Sequence, residues 1–208
     1  MRGGVKRPSA PPRRRRRRPW REVEFVSLDF ETTGLDHRRD AIVSFGFVPV
    51  RSGRVVVGEG VHQLVVPNVP ATVASMKVHH ILPRDLAGAA PFEEAREILR
   101  TALEDRYVLA WFAEVEIAFL ARIFGGSRRW WRRRTVDVRR LAIELEHARP
   151  DVRNTLVGTA SRYGVPVASP HEALDDALVT AQLFLVLATK LEARGLSTVG
   201  SQLRLTRG

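Results

Sequence analysis

The order of the apolar patterns after Glu22 most constrains the fold of this chain. Apolar residues first alternate as in β-strands, and from about Phe92 onward helical spacing alternates with short apolar strands. Strands are expected over 23–30, 41–50, 54–66, 107–111 and 135–138, and helices over about 92–103, 115–123, 141–145, 154–163 and 174–188. Antiparallel strands followed by a strand–helix alternation predict an α/β fold, a mixed five-stranded sheet packed between helices.

The last helix is the clearest, because its apolar residues keep a 3.6-residue period from Leu174 to Ala188. We expect it to start with Ser169 as N-cap, Pro170 in the first position and Glu172 completing a capping box. A tight turn is expected at Arg51-Ser52-Gly53, between the second and third strands.

Length and composition indicate one domain. The 208 residues suit a single domain over 22–192, flanked by tails over 1–21 and 193–208, and the apolar fraction of 44% is ordinary. No run of 18 apolar residues predicts a membrane span. The absence of cysteine excludes disulfides and thiolate metal sites, and fits a cytoplasmic protein.

The positive charge is concentrated at the start of the chain. The formal charge is +11, but residues 1–21 hold ten basic residues and no acidic one, which leaves 24 basic against 23 acidic residues elsewhere. Residues 1–21 lack a periodic apolar pattern, so a disordered tail is expected. Two interpretations stay open: an arm that binds nucleic acid electrostatically, or a segment without a dedicated role, including one translated from a start placed too early.

A second basic cluster, residues 127–134, combines five arginines with two tryptophans. Base stacking with phosphate contacts is one interpretation. A surface loop whose arginines extend into solvent is the other, and the favoured one.

Two carboxylates end the first strand. Asp29 and Glu31 are two residues apart, so they point to the same face and Phe30 to the other. Such carboxylates are costly beside an apolar strand unless they bind a cation or stay in water, and their oxygens suit Mg²⁺ or Mn²⁺. Alone, such a pair is more often just two acidic residues at a strand-to-turn boundary.

The last helix carries a second polar pair, His171 and Asp176, five residues apart. This spacing places them about 140° apart around a helix, so they cannot be two ligands on one face. We therefore interpret Asp176 as the helix-borne ligand and His171 as a terminal group that the helix dipole keeps neutral, as a general base requires. Asp175 is expected to face solvent, and His171 alone would more often be an ordinary exposed residue.

Together these segments resemble the motifs of the DEDDh 3′–5′ exonucleases, the family of the epsilon subunit of bacterial DNA polymerase III and of ribonuclease T. Residues 26–35, VSLDFETTGL, are similar to the first motif, and residues 171–177, HEALDDA, to the third. Residues 78–81, VHHI, look like the family's Val-His-Gly-Ile segment. The resemblance spans about 23–191 and implies a ribonuclease H-like fold.

The middle motif departs from the family's His-Asn-x-x-Phe-Asp. Trp111 and Phe112 replace His-Asn, and Glu116 stands in place of the third Asp. Glutamate keeps the charge but adds a methylene, about 1.5 Å of reach. Glu114 is a less favoured substitute because it lies about 200° from Glu116 around the helix.

The resemblance implies hydrolysis with two divalent ions, Mg²⁺ or Mn²⁺. Asp29, Glu31 and Asp176 would hold the ions, and Glu116 would assist through its charge or through water. His171 would take the proton of the water that attacks the terminal phosphodiester.

The resemblance also implies contacts of Thr32, Leu35 and His79 with the terminal nucleotide. The expected substrate is the 3′ end of single-stranded DNA or RNA, in replication, proofreading, repair or RNA trimming, with a DNA polymerase as an expected partner and no membrane. The alternative is a catalytically weakened module of the same fold that binds nucleic acid or a polymerase. The altered middle motif supports that alternative, whereas Asp29, Glu31, His171 and Asp176, all in register, oppose it.

Overall fold

The structure is a computed structural model that describes residues 6–34, 36–147 and 154–206. Its strands and helices, in chain order, are β1 Phe25–Thr32, β2 Ile42–Arg51, β3 Arg54–Val55, β4 Val61–Leu64, α1 Val73–His79, α2 Phe92–Leu103, β5 Tyr107–Ala110, α3 Ala113–Phe124, α4 Arg128–Arg132, β6 Thr135–Asp137, α5 Val138–Glu146, α6 Leu156–Arg162, α7 Ala173–Glu192 and α8 Val199–Leu205. Within these ranges no helix is long and apolar enough to cross a membrane.

The sheet is mixed, with strand order β3-β2-β1-β5-β6 and with β4 also paired to β2. β1 and β2 are antiparallel, whereas β1, β5 and β6 are parallel. The expected mixed sheet is confirmed, but it has six strands and not five, because the strand expected over 54–66 is divided into β3 and β4. A 3₁₀ turn at Val57–Glu59 separates them, in a stretch that Gly58 and Gly60 make a poor strand.

Alternation along β1 divides the core between the two faces of the sheet. Phe25 belongs to the cluster formed with α5, α7 and α8, and Val26 to the cluster formed with α2 and α3. Ser27, Asp29 and Glu31 follow the Phe25 parity and therefore face α7. The expected hairpin turn is confirmed, since Ser52 and Gly53 both have positive φ, 51° and 67°.

The expectation of disorder over 1–21 is wrong for residues 6–21; residues 1–5 lie outside the described residues. Trp20 is 1% exposed and meets Phe184 edge to face at 5.6 Å between ring centroids. Its backbone N–H donates to the carbonyl of Ser197 at 2.9 Å. One buried aromatic ring and backbone hydrogen bonds order this segment, and a search for apolar periodicity detects neither.

The C-terminal tail expected over 193–208 likewise contains a helix, α8, whose Leu203 is buried. Thr198 caps this helix by accepting a hydrogen bond from the N–H of Ser201 at 3.1 Å. The division into a domain over 22–192 and two tails stays a prediction.

Candidate active site

Three carboxylates converge where β1 meets the start of α7. Asp29 and Glu31 project from β1, and Asp176 lies in the first turn of α7. Each offers an oxygen within 4.8 Å of the oxygens of the other two. Residues separated by about 145 positions thus form one acidic cluster, and a divalent cation is the ligand that such a cluster suits.

A glycine on β2 allows this approach. Gly46 is paired with Asp29 in the sheet, and a Cβ at Gly46 would lie 2.1 Å from the backbone nitrogen of Leu174 and 2.2 Å from the carbonyl carbon of Ala173. Any larger residue would push the start of α7 away from the sheet. Gly46 therefore sets the distance between Asp176 and the two carboxylates of β1.

Burial makes the ionised cluster costly. Desolvation is the main cause that raises the pKa of Asp29 well above its usual value, followed by the charges of Glu116, Glu31 and Asp176. Burial and the charge of Asp176 raise the pKa of Glu31 to about 8. Burial also raises the pKa of Asp176, although the N–H of His171 partly offsets it. Without a counterion, these groups favour protonation.

Glu116 lies on α3, 5% exposed, close enough to Asp29 to raise its pKa. It is not among the three carboxylates whose oxygens come within 4.8 Å of one another. Burial, and then the charges of Asp137 and Glu31, raise the pKa of Glu116 to about 8. Glu114 instead pairs with Arg132 at 2.6 Å, so it is turned away from the cluster.

A cation fits these residues. Asp176 Oδ1 and Glu116 Oε2 are buried and accept no hydrogen bond within the described part of the chain. Buried carboxylate oxygens without partners are unstable as such, and a bound cation would satisfy them. An all-oxygen donor set favours Mg²⁺ or Mn²⁺ over softer metals.

His171 lies in a turn before α7, and not on the helix. The helix begins at Ala173 with Glu172 as N-cap and no side-chain cap, so the capping box expected from Ser169 is wrong. The N–H of Glu172 donates to the carbonyl of Ser169 at 3.2 Å, and His171 has φ 65°. Pro170 followed by a residue of positive φ fits a type II turn. The residues Ser169 and Pro170 are as typical of such a turn as of a helix start.

This turn ties His171 to the cluster. The backbone N–H of His171 donates to Asp176 Oδ2 at 3.2 Å, while the imidazole is exposed. A non-glycine residue with positive φ is uncommon and is found disproportionately at functional sites.

A cavity of about 280 Å³ opens beside the cluster, and the residues that line it include Glu31, Ser44, His62, His79 and His171. His79 is 6% exposed, and its Nδ1 accepts a hydrogen bond from the N–H of Ile81 at 3.0 Å. Burial lowers the pKa of His79, so the neutral ring carries its proton on Nε2, a buried atom without a partner in the described residues.

Thr32 and Leu35 are the two other residues expected to contact the nucleotide. Thr32 is buried, and its Oγ1 donates to the carbonyl of Gly34 at 2.7 Å. Leu35 lies outside the described residues.

Two positioning residues were missed in the sequence, Gly46 and Asp137. Asp137 ends β6, caps α5 by accepting from the N–H of Arg140 at 2.9 Å, and accepts from the N–H of Ala113 at 3.3 Å. It thereby fixes the start of α3, which carries Glu116. An aspartate between an apolar strand and a helix is a readable N-cap signal, whereas nothing in the sequence marks Gly46.

Comparison with known proteins agrees with this geometry. The chain is 30% identical over 188 residues to "DNA polymerase III PolC-type" of Thermotoga maritima, an alignment that covers 88% of this chain and 13% of that protein. It is 26% identical over 187 residues to "DNA polymerase III subunit epsilon" of Aquifex aeolicus, covering 88% and 90%. The chain thus spans a small part of the PolC-type relatives and most of the epsilon subunit.

A solved structure shares the fold. E. coli exonuclease I in complex with a dT13 oligonucleotide superposes with a TM-score of 0.71 at 14% identity, over 83% of this chain and 42% of that one. The RNase_T family, described as "Exonuclease", matches residues 26–184, which include all five expected catalytic residues. The ribonuclease H-like fold and the DEDDh resemblance are confirmed, and the chain belongs to the RNase T family of exonucleases.

Proposed function

We propose that this exonuclease removes nucleotides from the 3′ end of a single-stranded nucleic acid, with two divalent ions, Mg²⁺ or Mn²⁺, as cofactors. One observation carries the proposal: three carboxylates, half-buried or buried and without a cationic partner in the described residues, offer oxygens within 4.8 Å of one another, beside an exposed histidine and a cavity. A buried anionic cluster of this kind is stable only with cations, and those cations would also attract a phosphodiester.

Asp29, Glu31 and Asp176 would hold the ions. When bound, such ions lower the pKa of water and neutralise charge on the phosphate and the leaving oxygen. Glu116 stands apart from these three by geometry, so we assign it a supporting role through its charge or through water.

His171 would accept the proton of the attacking water. Its imidazole is exposed, and its backbone is held by Asp176 Oδ2 at 3.2 Å. The same carboxylate would therefore hold a cation and orient the residue that removes the proton. An imidazole can accept such a proton directly or through one water.

The terminal nucleotide would occupy the cavity beside Glu31. His79 Nε2 is a donor without a partner in the described residues, and it would donate to a hydroxyl or phosphate oxygen of the nucleotide. Thr32 and Leu35 would complete the site through backbone and apolar contacts, as the family resemblance implies.

The polymerase partner, a role in DNA replication, and the cytoplasm as compartment belong to this proposal as well. The names of the two relatives, "DNA polymerase III PolC-type" and "DNA polymerase III subunit epsilon", support the partner and the role in replication. The absence of cysteine supports the compartment.

The test is release of mononucleotides from 5′-labelled single-stranded DNA and RNA of the same sequence, with Mg²⁺, with Mn²⁺ and with EDTA. A metal-dependent ladder that shortens from the 3′ end, and that Asp29→Ala abolishes, is expected. A ladder unaffected by EDTA or by this substitution would contradict the assignment.

The weakened module is the second candidate, which the replacement of Asp by Glu116 favours. Thermal unfolding with and without Mn²⁺ separates metal binding from turnover. Stabilisation by Mn²⁺ without cleavage of either strand would favour the module, because a ligand at 100 times its Kd adds about 2.7 kcal/mol to stability regardless of turnover.

A further inference from the structure

The two basic clusters of the sequence lie side by side in the structure. Nη2 of Arg16 donates to the carbonyl of Arg133, 117 positions away, at 2.6 Å. The guanidinium of Arg7 stacks over the ring of Trp130, 4.7 Å from its centroid. The N-terminal segment is therefore held against α4, which brings the two basic clusters next to each other.

Five arginines of these two adjacent clusters have no ion pair with an acidic side chain in the described residues; we call them the arginine strip, and they are Arg13, Arg14, Arg17, Arg129 and Arg133. All are exposed except Arg133, which is half-buried. The neighbouring Arg132 is paired with Glu114 at 2.6 Å and is not part of the strip. The strip is thus a local excess of positive charge on a body that is otherwise nearly neutral.

The strip starts at the end of the sheet opposite the carboxylates. Nη1 of Arg15, between the exposed arginines, donates at 3.3 Å to the carbonyl of Asp105, which precedes β5. Asp29 lies farther along the strands, since Phe25, and not Asp29, is the partner of Tyr107 at the start of β5. At about 3.3 Å per residue, Glu31 lies roughly 20 Å beyond this level.

Helix α4 leads from the strip towards the site. Nη2 of Arg128 lies 3.1 Å from Nδ1 of His37, in the loop that follows β1. In the same loop, Asp40 accepts a hydrogen bond from Oγ1 of Thr33 at 3.2 Å, two residues after Glu31. The basic surface therefore connects the far end of the sheet with the border of the carboxylate site.

The tryptophans offer no platform for bases. Trp131 is fully buried, and Trp130 has the guanidinium groups of Arg7 and Arg134 at 4.7 and 5.2 Å from its centroid. Base stacking by the second cluster is therefore not supported. What the surface presents is guanidinium groups, whose donors suit phosphate oxygens and carry no base specificity.

We propose that the arginine strip binds the phosphates of the same polynucleotide whose 3′ end is in the active site, on its 5′ side. This proposal rests on the proposed function, because it requires the 3′ end to lie at the carboxylates. A path of roughly 20 Å accommodates about six phosphates at 3.4 Å each, fewer in an extended strand. The strip thus holds the body of the substrate while its end is hydrolysed.

The test measures binding without catalysis. Fluorescence anisotropy gives the Kd of a labelled 20-nucleotide DNA in EDTA, across a salt series, for the triple variant Arg13→Gln, Arg14→Gln, Arg17→Gln. The matched control replaces three exposed cations off the strip, Arg54, Arg84 and Lys190, with Gln. Each phosphate contact in a single strand releases about 0.7 counterions, so the loss of three contacts should lower the slope of log Kd against log salt concentration by about 2. The strip variant should also bind at least about tenfold more weakly at 0.1 M salt. The control is expected to bind like the wild type.

Substrate length provides the second measurement. Hydrolysis of a trinucleotide, too short to reach the strip, is expected to keep its KM in the strip variant, while KM for the 20-mer rises at least about tenfold. An unchanged Kd and salt slope in the strip variant would overturn the proposal and would indicate an anionic partner of another class. An equal rise in KM for the trinucleotide and the 20-mer would overturn it as well. If the wild type hydrolyses neither substrate, the proposed function fails, whereas binding in EDTA still decides the role of the strip.

Discussion

At one end of the parallel strands Arg134 is buried, 2% exposed, just before β6 begins. Its Nη1 donates to the carbonyl of Ser9 at 3.0 Å and its Nη2 to that of Arg106 at 2.6 Å, and Nη2 also contacts the carbonyl of Leu103. At the other end Glu116, 5% exposed, has a buried Oε2 that accepts nothing within the described residues. Two buried charges of opposite sign thus lie at opposite ends of one sheet.

The difference is in what compensates each charge. Leu103 ends α2, so Arg134 meets the negative end of a helix dipole and carbonyls that need donors. Burial lowers its pKa only to about 10, and it stays charged at neutral pH. Burial, and then neighbours that repel it, raise the pKa of Glu116 to about 8. One end of the sheet is therefore complete without a ligand, and the other is stable only when a cation or protons complete it.

This contrast predicts that substitutions at the carboxylate end cost activity more than stability. The largest effect is expected for Asp176→Asn, which removes one proposed ligand of the cation and should lower kcat by about 1000-fold or more. Stability in EDTA should not fall, because the substitution removes a buried carboxylate that has no counterion. Asp175→Asn, one position earlier and only half-buried, is the matched control and should change kcat less than about threefold. Both are measured in the mononucleotide-release assay; a tenth of wild-type activity in Asp176→Asn would refute the assignment.

At the arginine end the expectation is reversed. Arg134→Met removes donors from the buried carbonyl of Leu103 and from the carbonyls of Ser9 and Arg106. It should lower the free energy of unfolding by about 3 kcal/mol, because these acceptors lose a charged partner. Urea denaturation measures this loss, with the exposed Arg54→Met as control. The remaining folded protein should keep its kcat at 25 °C. A selective loss of kcat with unchanged stability would show that the two ends do not divide the roles in this way.

Gly46→Ala tests how closely the two halves of the carboxylate cluster must approach. The new Cβ would overlap the backbone of Ala173 and Leu174, so α7 must move and carry Asp176 away from β1. We expect kcat to fall about 10- to 100-fold and stability by about 2 kcal/mol. Gly88→Ala, at a site with no atom within 4 Å of the added Cβ, serves as control. Wild-type activity in Gly46→Ala would mean that α7 adjusts without displacing the site.

The last effect is a pH dependence of metal-free stability. The carboxyls of Glu31 and Glu116 have pKa values near 8 in the folded protein and near 4.5 normally. Below pH 4.5 both folded and unfolded states bind these protons, whereas between pH 4.5 and 8 the unfolded state loses them first. Stability in EDTA should therefore fall as pH rises through this window, with each proton contributing up to about 1.4 kcal/mol per pH unit.

Glu116→Gln should flatten that dependence by about one proton, and saturating Mn²⁺ should oppose the fall in the wild type. Denaturation midpoints between pH 5 and 8 measure both effects. A profile in EDTA that rises with pH would show that the cluster is ionised and compensated by groups other than a cation.

The sequence was sufficient for what depends on local periodicity. The alternation of β1 placed Asp29 and Glu31 on one face, and the 3.6-residue period identified the helix that carries Asp176. Both follow from neighbours in the chain, so residue order alone determines them. The Asp-to-Glu change at Glu116 was also visible, since a motif aligns position by position.

What the sequence could not provide depends on tertiary contacts. The pair Ser169 and Pro170 fits a helix cap and a type II turn equally, and the hydrogen bond from the backbone of His171 to Asp176 accompanies the turn. The need for Gly46 appears only when α7 lies on the sheet. Order in residues 6–21 depends on the pocket that buries Trp20, which includes Phe184, a residue far along the chain.

The first and last described segments of this protein meet as a short stretch of paired backbone. Pro19 and Thr198 form an antiparallel bridge, and the N–H of Val199 donates to the carbonyl of Arg18 at 3.2 Å. Because each segment supplies the other's hydrogen-bond partners, neither can open alone without exposing both. In native-state hydrogen exchange, the amides of Trp20 and Val199 should then behave as one cooperative unit and exchange with the same free energy. Loss of either segment would expose the α7 face of the core, so protein engineering at one terminus changes the dynamics of the other.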